Sequence, residues 1–200
     1  MKSILCLGWL LGLMACGGYK KPLEIIGVPL ELDPSIAIQA PNGNAGHACP
    51  VFLEDGTEMV LTARHVVVDE DGQYMDVVWS DGFGQEGYFS VADAFSAVDV
   101  VLLTPSMSVP VYLPKGTAKP GDTVFWFEYD FRTQANALRA RRRFGKILRI
   151  VAQHFILDAM PEGGSSGTCL LNEYGEAVGL ITSGWDTEDG KGAGVAVKFP

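Results

Sequence analysis

The stretch EGGSSGT at residues 162–168 places two adjacent serines among three glycines. Glycine adopts backbone conformations that other residues avoid, so such a run can form a sharp loop whose N–H groups point to one side. A serine on that loop becomes a nucleophile only if a base takes its proton. Ser165 lies at the centre of a Gly-x-Ser-x-Gly pattern, whereas Ser166 follows Gly164 by two positions. Which serine reacts therefore depends on where the chain places a histidine and an acid.

The Gly-x-Ser-x-Gly pattern around Ser165 is typical of α/β-hydrolases, in which the acid and the histidine follow the serine along the chain. No histidine follows His154. The chain also lacks the alternation of strands with long helices that such a fold requires. The α/β-hydrolase interpretation of Ser165 is therefore rejected.

Composition favours a chain built from strands and turns. With 200 residues, of which 48% are hydrophobic, the chain can bury one or two cores. Its 24 glycines and 11 prolines follow no period, which indicates many turns. Short strand candidates alternate with turn dipeptides such as Asp55-Gly56 and Asp71-Gly72, and no segment shows an apolar stripe with a period of 3.6 residues. The candidates are 47–54, 58–62, 74–79, 86–91, 99–104, 123–129, 145–152, 154–158, 169–172, 176–183 and 193–198. The polar stretch 131–143 is predicted to be a loop or long hairpin.

Five stretches resemble the sequence motifs of chymotrypsin-like serine proteases. Residues 164–172 (GSSGTCLLN) resemble the nucleophile loop, and residues 172–181 (NEYGEAVGLI) resemble the hairpin that follows it in the HtrA branch of that family. Residues 61–67 (LTARHVV) resemble the segment that carries the catalytic histidine, and residues 99–103 (DVVLL) the strand that carries the aspartate. Residues 192–197 (GAGVAV) resemble the last strand. The resemblance covers residues 36–200.

The resemblance implies an all-β fold of two six-stranded antiparallel β-barrels with the active site between them. It assigns residues 36–110 to an N-terminal barrel that carries His65 and Asp99, and residues 111–200 to a C-terminal barrel that carries Ser166. The proline-rich piece from 105 to 120 marks the boundary between the two halves. The order histidine, aspartate, serine is that of the chymotrypsin fold.

The same resemblance implies a catalytic triad. A serine hydroxyl needs a base that works near pH 7, which His65 would supply, while Asp99 would hold the Nδ1–H of that imidazole. The backbone N–H groups of Gly164 and Ser166 would form the oxyanion hole. His47 and His154 lack comparable flanking motifs, so we expect both to be structural.

Three residues correspond to the specificity pocket of the family. Met160 would lie at its base, six residues before the nucleophile, and Gly184 and Gly194 would line its walls. We expect a roomy, apolar pocket that accepts a medium or large uncharged P1 residue.

Departures from the family pattern change three expectations. Ser165 stands where members activated by cleavage carry the aspartate that pairs with the new N-terminus. The tetrapeptide at residues 25–28 (IIGV) looks like an activation site, but its ammonium would find no carboxylate, so we expect no proteolytic activation. Thr168 and Cys169 replace the Gly-Pro of the family, which alters the loop beyond the nucleophile. No PDZ-like domain follows residue 200, and we expect a monomer.

The first sixteen residues, MKSILCLGWLLGLMAC, combine a lysine with an apolar run too short to span a bilayer. Residues 1–15 are predicted to be a signal peptide, and residues 13–16 (LMAC) resemble a bacterial lipobox that leaves Cys16 lipidated. Residues 16–35 would form a tether, and the protein would be exported and anchored at the bacterial cell envelope, in the outer membrane or periplasm. An ordinary cleaved signal with an accidental cysteine is the alternative.

Cys49 and Cys169 are the cysteines that remain once Cys6 leaves with the signal and Cys16 is acylated. Residues 47–49 (HAC) resemble the family strand whose cysteine bonds to one just after the catalytic histidine, a position that Val66 occupies here. The resemblance implies a Cys49–Cys169 disulfide that joins the two barrels. Two buried free thiols are the alternative.

The net charge of −9 argues against a nucleic-acid partner, which requires a basic face. Six of the fifteen basic residues nevertheless lie between Arg139 and Arg149. This segment is either a solvated loop or hairpin face, or a contact with an anionic membrane surface. No metal or cofactor is expected, and the expected partner is a polypeptide substrate.

Two functions are consistent with these motifs. The first is a lipid-anchored, trypsin-like serine endopeptidase that forms an acyl-enzyme on Ser166. The second is a catalytically inactive protease-fold lipoprotein that acts as a binding or adaptor module. An intact triad favours the first.

Overall fold

The computed structural model describes residues 35–80, 86–95, 97–109, 111–128, 141–188 and 192–199. Within them lie thirteen strands and a single 3-10 turn at Arg64–Val66. The first seven strands are β1 (Ile36–Gln39), β2 (Ala45–Phe52), β3 (Glu58–Thr62), β4 (Val77–Ser80), β5 (Glu86–Phe95), β6 (Val100–Pro105) and β7 (Leu113–Pro114). The other six are β8 (Thr123–Glu128), β9 (Arg141–Val151), β10 (His154–Leu157), β11 (Cys169–Asn172), β12 (Ala177–Trp185) and β13 (Ala193–Lys198).

The first six strands form the N-terminal barrel. Their order is β1-β4-β5-β6-β3-β2, and the antiparallel pairing of β1 with β2 closes the ring. The short strand β7 pairs in parallel with the second half of β2. The chain then reaches the other half of the molecule, where Lys115 bridges to Ala177.

The last six strands form the C-terminal barrel, in the order β10-β13-β12-β11-β8-β9. The pairing of β9 with β10 closes it. Because each ring is closed, every strand in it has a neighbouring strand on both sides. The backbone N–H and C=O groups therefore face hydrogen-bonding partners, and neither ring has a free edge. The prediction of an all-β fold of two six-stranded antiparallel barrels is confirmed.

The strand β8, with the sequence TVFWFE, shows how the two barrels pack. Side chains alternate between the faces of a strand, so Val124 and Trp126 point into the C-terminal barrel and join its core. Phe125 and Phe127 point the other way and join the core cluster of the N-terminal barrel. A strand that is apolar on both faces therefore fills one barrel and seals the interface with the other. Each fully buried side chain of this size contributes about 1.5–3 kcal/mol.

A disulfide between Cys49 of β2 and Cys169 of β11 joins the two barrels. The two Cα atoms are 5.0 Å apart, and the bonded residues are 120 positions apart in the chain. The predicted pairing is confirmed, and the alternative of two free thiols is wrong. Cys169 is also tied to the start of the described chain, because its N–H donates to the hydroxyl of Ser35 at 3.0 Å.

The basic segment is largely a strand. β9 begins at Arg141 and pairs antiparallel with β8, so the last three residues of the stretch 131–143 lie in the second strand of a β8–β9 hairpin, and the hairpin alternative of the prediction is confirmed for them. β9 aligns with β8 at six successive positions, from Lys146 opposite Thr123 to Arg141 opposite Glu128. Residues 129–140, which include Arg139, lie outside the described residues.

The predicted signal peptide, Cys16, the tether as far as residue 34 and the tetrapeptide at 25–28 also lie outside the described residues. Across the ranges that are described, no helix has the length and apolar character needed to cross a membrane.

Candidate active site

The 3-10 turn at Arg64–Val66 presents the imidazole of His65 to the cleft. The turn follows β3, which ends at Thr62. The buried side chain of Val66 anchors the turn in the protein core. The turn is also tied to the residue just before β6, because the N–H of Arg64 donates to the carbonyl of Asp99 at 3.3 Å and that of His65 donates to Asp99 Oδ1 at 3.1 Å. Two backbone contacts thus orient the aspartate and the histidine together.

The three predicted triad residues come together in this cleft. His65 Nδ1 lies 2.6 Å from Asp99 Oδ2, and His65 Nε2 lies 2.8 Å from Ser166 Oγ. The carboxylate accepts only, so the proton of the neutral imidazole is on Nδ1 and Nε2 is free to accept from the serine hydroxyl. Oγ of Ser166 also lies 3.3 Å from the carbonyl oxygen of Thr182. These contacts set up a nucleophile, a base and a group that orients the base.

The adjacent serines differ in burial. Ser165 is 2% exposed, with its side chain directed into the protein, whereas Ser166 is half-buried at the cleft and reaches the imidazole. Only Ser166 is placed to react.

The loop that carries Ser166 is closed by its own backbone. The N–H of Ser165 donates to Glu162 O at 3.1 Å, and the N–H of Thr168 donates to Ser165 O at 3.0 Å. Gly164 and Gly167 have φ angles of 92° and 87°, a region that favours glycine. Within the described part of the chain, the N–H groups of Gly164 and Ser166 donate to no acceptor. They are the two donors that the sequence predicts for the oxyanion hole.

The same loop lies directly against β2 of the other barrel. The N–H of His47 donates to Ser166 O at 2.8 Å. A Cβ on Gly167 would lie 1.7 Å from His47 O, and a Cβ on Gly46 would lie 2.7 Å from Ser166 O. Glycine is required at both positions because the two backbones touch.

The side chain of His47 also contacts the loop that carries Ser166. Its Nδ1 lies 3.0 Å from the carbonyl oxygen of Gly164. Complete burial lowers the pKa of His47 to about 4, against the opposing effect of the hydrogen bond to Gly164. The imidazole is therefore neutral at pH 7 and donates its Nδ1–H to that carbonyl. The sequence predicted a structural histidine but not its partner; the resemblance of residues 47–49 to a family strand was the only signal. His154 lies instead at the start of β10, opposite Val151 and Val197.

The three predicted pocket residues lie together. Gly184 of β12 is aligned with Gly194 of β13. A Cβ on Gly184 would lie 3.0 Å from Cγ of Met160, and one on Gly194 would lie 2.9 Å from the ring of Pro161. The glycines thus make room for Met160 and Pro161, so the pocket walls are apolar but closely packed at this depth. Among the described residues, no group of three or more His, Cys, Asp or Glu side chains could hold a metal ion.

Two closed antiparallel barrels with a Ser-His-Asp cluster in the cleft between them define a chymotrypsin-like protease fold. The sequence profile described as a trypsin-like peptidase domain matches residues 49–180, and the chain belongs to that family. No curated protein matches the chain.

Solved structures of bacterial and viral proteases have the same fold. An inactive form of Rv3671c from M. tuberculosis is 19% identical with a TM-score of 0.61, and the alignment covers 82% of this chain and 80% of that one. A serine protease of a human pathogenic astrovirus is 17% identical with a TM-score of 0.61, and the alignment covers 84% of this chain and 92% of the viral one. The serine endoprotease of Yersinia pestis is 19% identical with a TM-score of 0.62. The alignment covers 83% of this chain and 58% of the Yersinia chain.

Proposed function

We propose that this protein is a serine endopeptidase that cleaves peptide bonds through an acyl-enzyme on Ser166. The observation that carries the proposal is the continuous line of contacts from Ser166 Oγ to His65 Nε2 at 2.8 Å and from His65 Nδ1 to Asp99 at 2.6 Å. Membership of the trypsin-like peptidase family supports it.

In the first step, Ser166 Oγ attacks the carbonyl carbon of the scissile bond while its proton passes to His65 Nε2. The carboxylate of Asp99 stabilises the imidazolium that forms. The imidazolium then gives the proton to the leaving amine, and the acyl group stays on Ser166. A water molecule gives a proton to His65 Nε2 and attacks the acyl carbon of this ester. The imidazolium then returns the proton to Ser166 Oγ as the ester bond breaks, which releases the carboxylic acid product and restores the serine.

The oxyanion formed in both steps would be bound by the N–H groups of Gly164 and Ser166. Each such donor typically lowers the barrier by about 3 kcal/mol, because it is directed at charge that develops only in the transition state. The positive φ of Gly164 supports this role, since it lets the loop turn its amides towards the cleft.

For specificity we propose an uncharged P1 residue. The wall contributed by Met160, Gly184 and Gly194 carries no charged group, so a basic P1 side chain would be desolvated without a partner. Cleavage of a peptide library tests this, and strong selection for Arg or Lys at P1 would refute it. Because a carboxylate at the base of this pocket selects basic residues, Met160→Asp should move the preference towards them.

The alternative function is an inactive protease-fold protein that binds a partner. A fluorophosphonate probe separates the two, since it bonds only to an activated serine. Labelling of the wild type that disappears in Ser166→Ala supports the peptidase, with Ser165→Ala as the control that should keep its label. Absence of labelling in a folded wild-type protein would favour the adaptor.

We further propose that the protein is exported and held at the cell envelope by a lipid on Cys16. The sequence of residues 1–16 supports this, and the Cys49–Cys169 disulfide fits an oxidising compartment. Cys16→Ser should move the protein from the membrane fraction to the soluble exported fraction. A protein that is soluble with Cys16 intact would show that the lipobox is accidental.

A further inference from the structure

A buried carboxylate lies at the end of β8, behind the loop of the nucleophile. Glu128 is 3% exposed. Its Oε1 accepts from the indole Nε1–H of Trp126 at 3.1 Å and from the backbone N–H of Glu162 at 3.1 Å. Its Oε2 lies 3.2 Å from Nε of Arg143, which faces it from β9. Two hydrogen-bond donors and a cation thus converge on one side chain inside the C-terminal barrel.

Packing alone does not explain a glutamate at this position. The four residues before it, Val124 to Phe127, are all buried and apolar, and an aliphatic side chain would extend that pattern. Burying a carboxylate costs solvation free energy that an ion pair recovers only in part. A buried carboxylate that accepts hydrogen bonds is better suited to fixing one arrangement of its neighbours, because the two hydrogen bonds to Glu128 Oε1 are directional.

The neighbour that Glu128 fixes is Glu162, the first residue of the loop at 162–168 that carries Ser166. Glu162 is held through its N–H by Glu128, and the carbonyl of Glu162 accepts from the N–H of Ser165 at 3.1 Å. The carboxylate is therefore two hydrogen bonds away from the residue that lies between the two predicted oxyanion donors. On the other side of the loop, His47 holds the carbonyl of Gly164.

The side chain of Ser165 cannot anchor the loop by an ion pair, since it carries no charge. We propose that Glu128, kept in place by Arg143, is a positioning residue. It holds the loop at 162–168 in the conformation that directs the N–H groups of Gly164 and Ser166 at the oxyanion. It acts through the backbone of Glu162 and does not touch the substrate. This inference rests on the proposed acyl transfer at Ser166. Loosening the loop should weaken binding of the transition state more than binding of the substrate, so kcat should fall and KM should change little.

The test compares full-length variants in hydrolysis of one peptide substrate. Glu128→Leu removes the acceptor for the Glu162 N–H and should lower kcat about 100-fold, the scale of a lost oxyanion donor, with KM within about threefold. Glu128→Gln keeps an oxygen that accepts from this N–H and should recover much of the loss. The control is Glu54→Gln, an exposed glutamate in the β2–β3 turn, which should match the wild type.

Hydrogen exchange of residues 162–166 gives a readout that does not depend on activity. Each variant is first checked for folding by its thermal transition, and Glu128→Leu should exchange the Ser165 amide, which donates to the carbonyl of Glu162, faster than the wild type while the strands stay protected. A folded Glu128→Leu protein with wild-type kcat, or with unchanged exchange of the loop, would overturn the inference. If the wild type itself is inactive, the proposed function fails and the exchange measurement still decides whether Glu128 holds the loop.

Discussion

The surface of the cleft and the layer beneath it are built in opposite ways. The catalytic surface, named for its proposed role, consists of His65, Asp99 and Ser166, and the side chains of His65 and Asp99 are 49% and 38% exposed. The supporting layer consists of His47, Glu128, Gly167 and the disulfide, and there His47 is 0% and Glu128 3% exposed. Reacting groups must meet the substrate, whereas the groups that place them work through packing and directional contacts. Substitutions in the surface should therefore change turnover alone, whereas those in the supporting layer should lower stability, with or without a loss of turnover.

The sharpest test of this difference is to substitute the residues of the catalytic surface, for which the largest effect is expected. Ser166→Ala and His65→Ala should each lower kcat about 10⁶-fold, and the double variant should be little worse, because the two residues act as a unit. The free energy of unfolding should change by no more than about 0.5 kcal/mol, since both side chains face the cleft. Peptide hydrolysis and urea denaturation measure the two quantities. Ser165→Ala should keep most of the activity, and the opposite result for the two serines would reassign the nucleophile.

The next largest effect is expected from Gly167 in the supporting layer. Gly167→Ala would drive a methyl group into the backbone of His47 at a residue with a φ of 87°, so both activity and stability should fall strongly. Gly163→Ala is the matched control four residues earlier, because a Cβ there meets nothing within 4 Å. Denaturation and hydrolysis of both variants decide the matter, and a stable, active Gly167→Ala protein would show that the two barrels are not held at this distance.

The disulfide should affect stability more than chemistry. The chain-entropy estimate for closing a loop of this length is about 4–5 kcal/mol, so Cys49→Ala combined with Cys169→Ala should lower the free energy of unfolding by up to that amount. The variant that remains folded at low temperature should keep most of its turnover, because neither sulfur reaches the triad. Urea denaturation with and without reductant measures the effect. Alkylation of both cysteines in unfolded, unreduced protein would show that the bond does not form.

The smallest effect concerns His47 and pH. Its pKa is about 4 in the folded protein and 6.5 in the unfolded chain, so the unfolded chain takes up the proton first as the pH falls. The stability contributed by the neutral, buried ring is thus complete above pH 6.5 and is lost towards pH 4, by about 3 kcal/mol. His47→Gln should flatten this part of the curve of unfolding free energy against pH, and His154→Gln should leave it in place. An equal slope in the wild type and His47→Gln would contradict the assignment.

The residues that the sequence identified have a common property. His65, Asp99 and Ser166 each lie in a short run whose neighbours also follow the family pattern, so each could be found locally. The disulfide was implied by the resemblance of residues 47–49 to a family strand, together with the replacement of the usual partner by Val66 and the even number of remaining cysteines. The contacts of Glu128 and His47 with the loop at 162–168 could not be found in this way, because the loop residues that they hold are 34 and 117 positions away and are held through backbone atoms, which every residue possesses.

The sequence by itself determined the fold class and predicted the order of the proposed triad and the choice of Ser166 over Ser165, because these depend on strand-forming runs, turn residues and family-like motifs that are contiguous in the chain. The tertiary structure alone decided how the loop at 162–168 is held between two barrels. That support consists of the backbone contact at Gly167, the imidazole of His47 and the carboxylate of Glu128. Each depends on the exact distance between segments that only closure and packing of the barrels bring together, and no local pattern of residue types encodes such a distance.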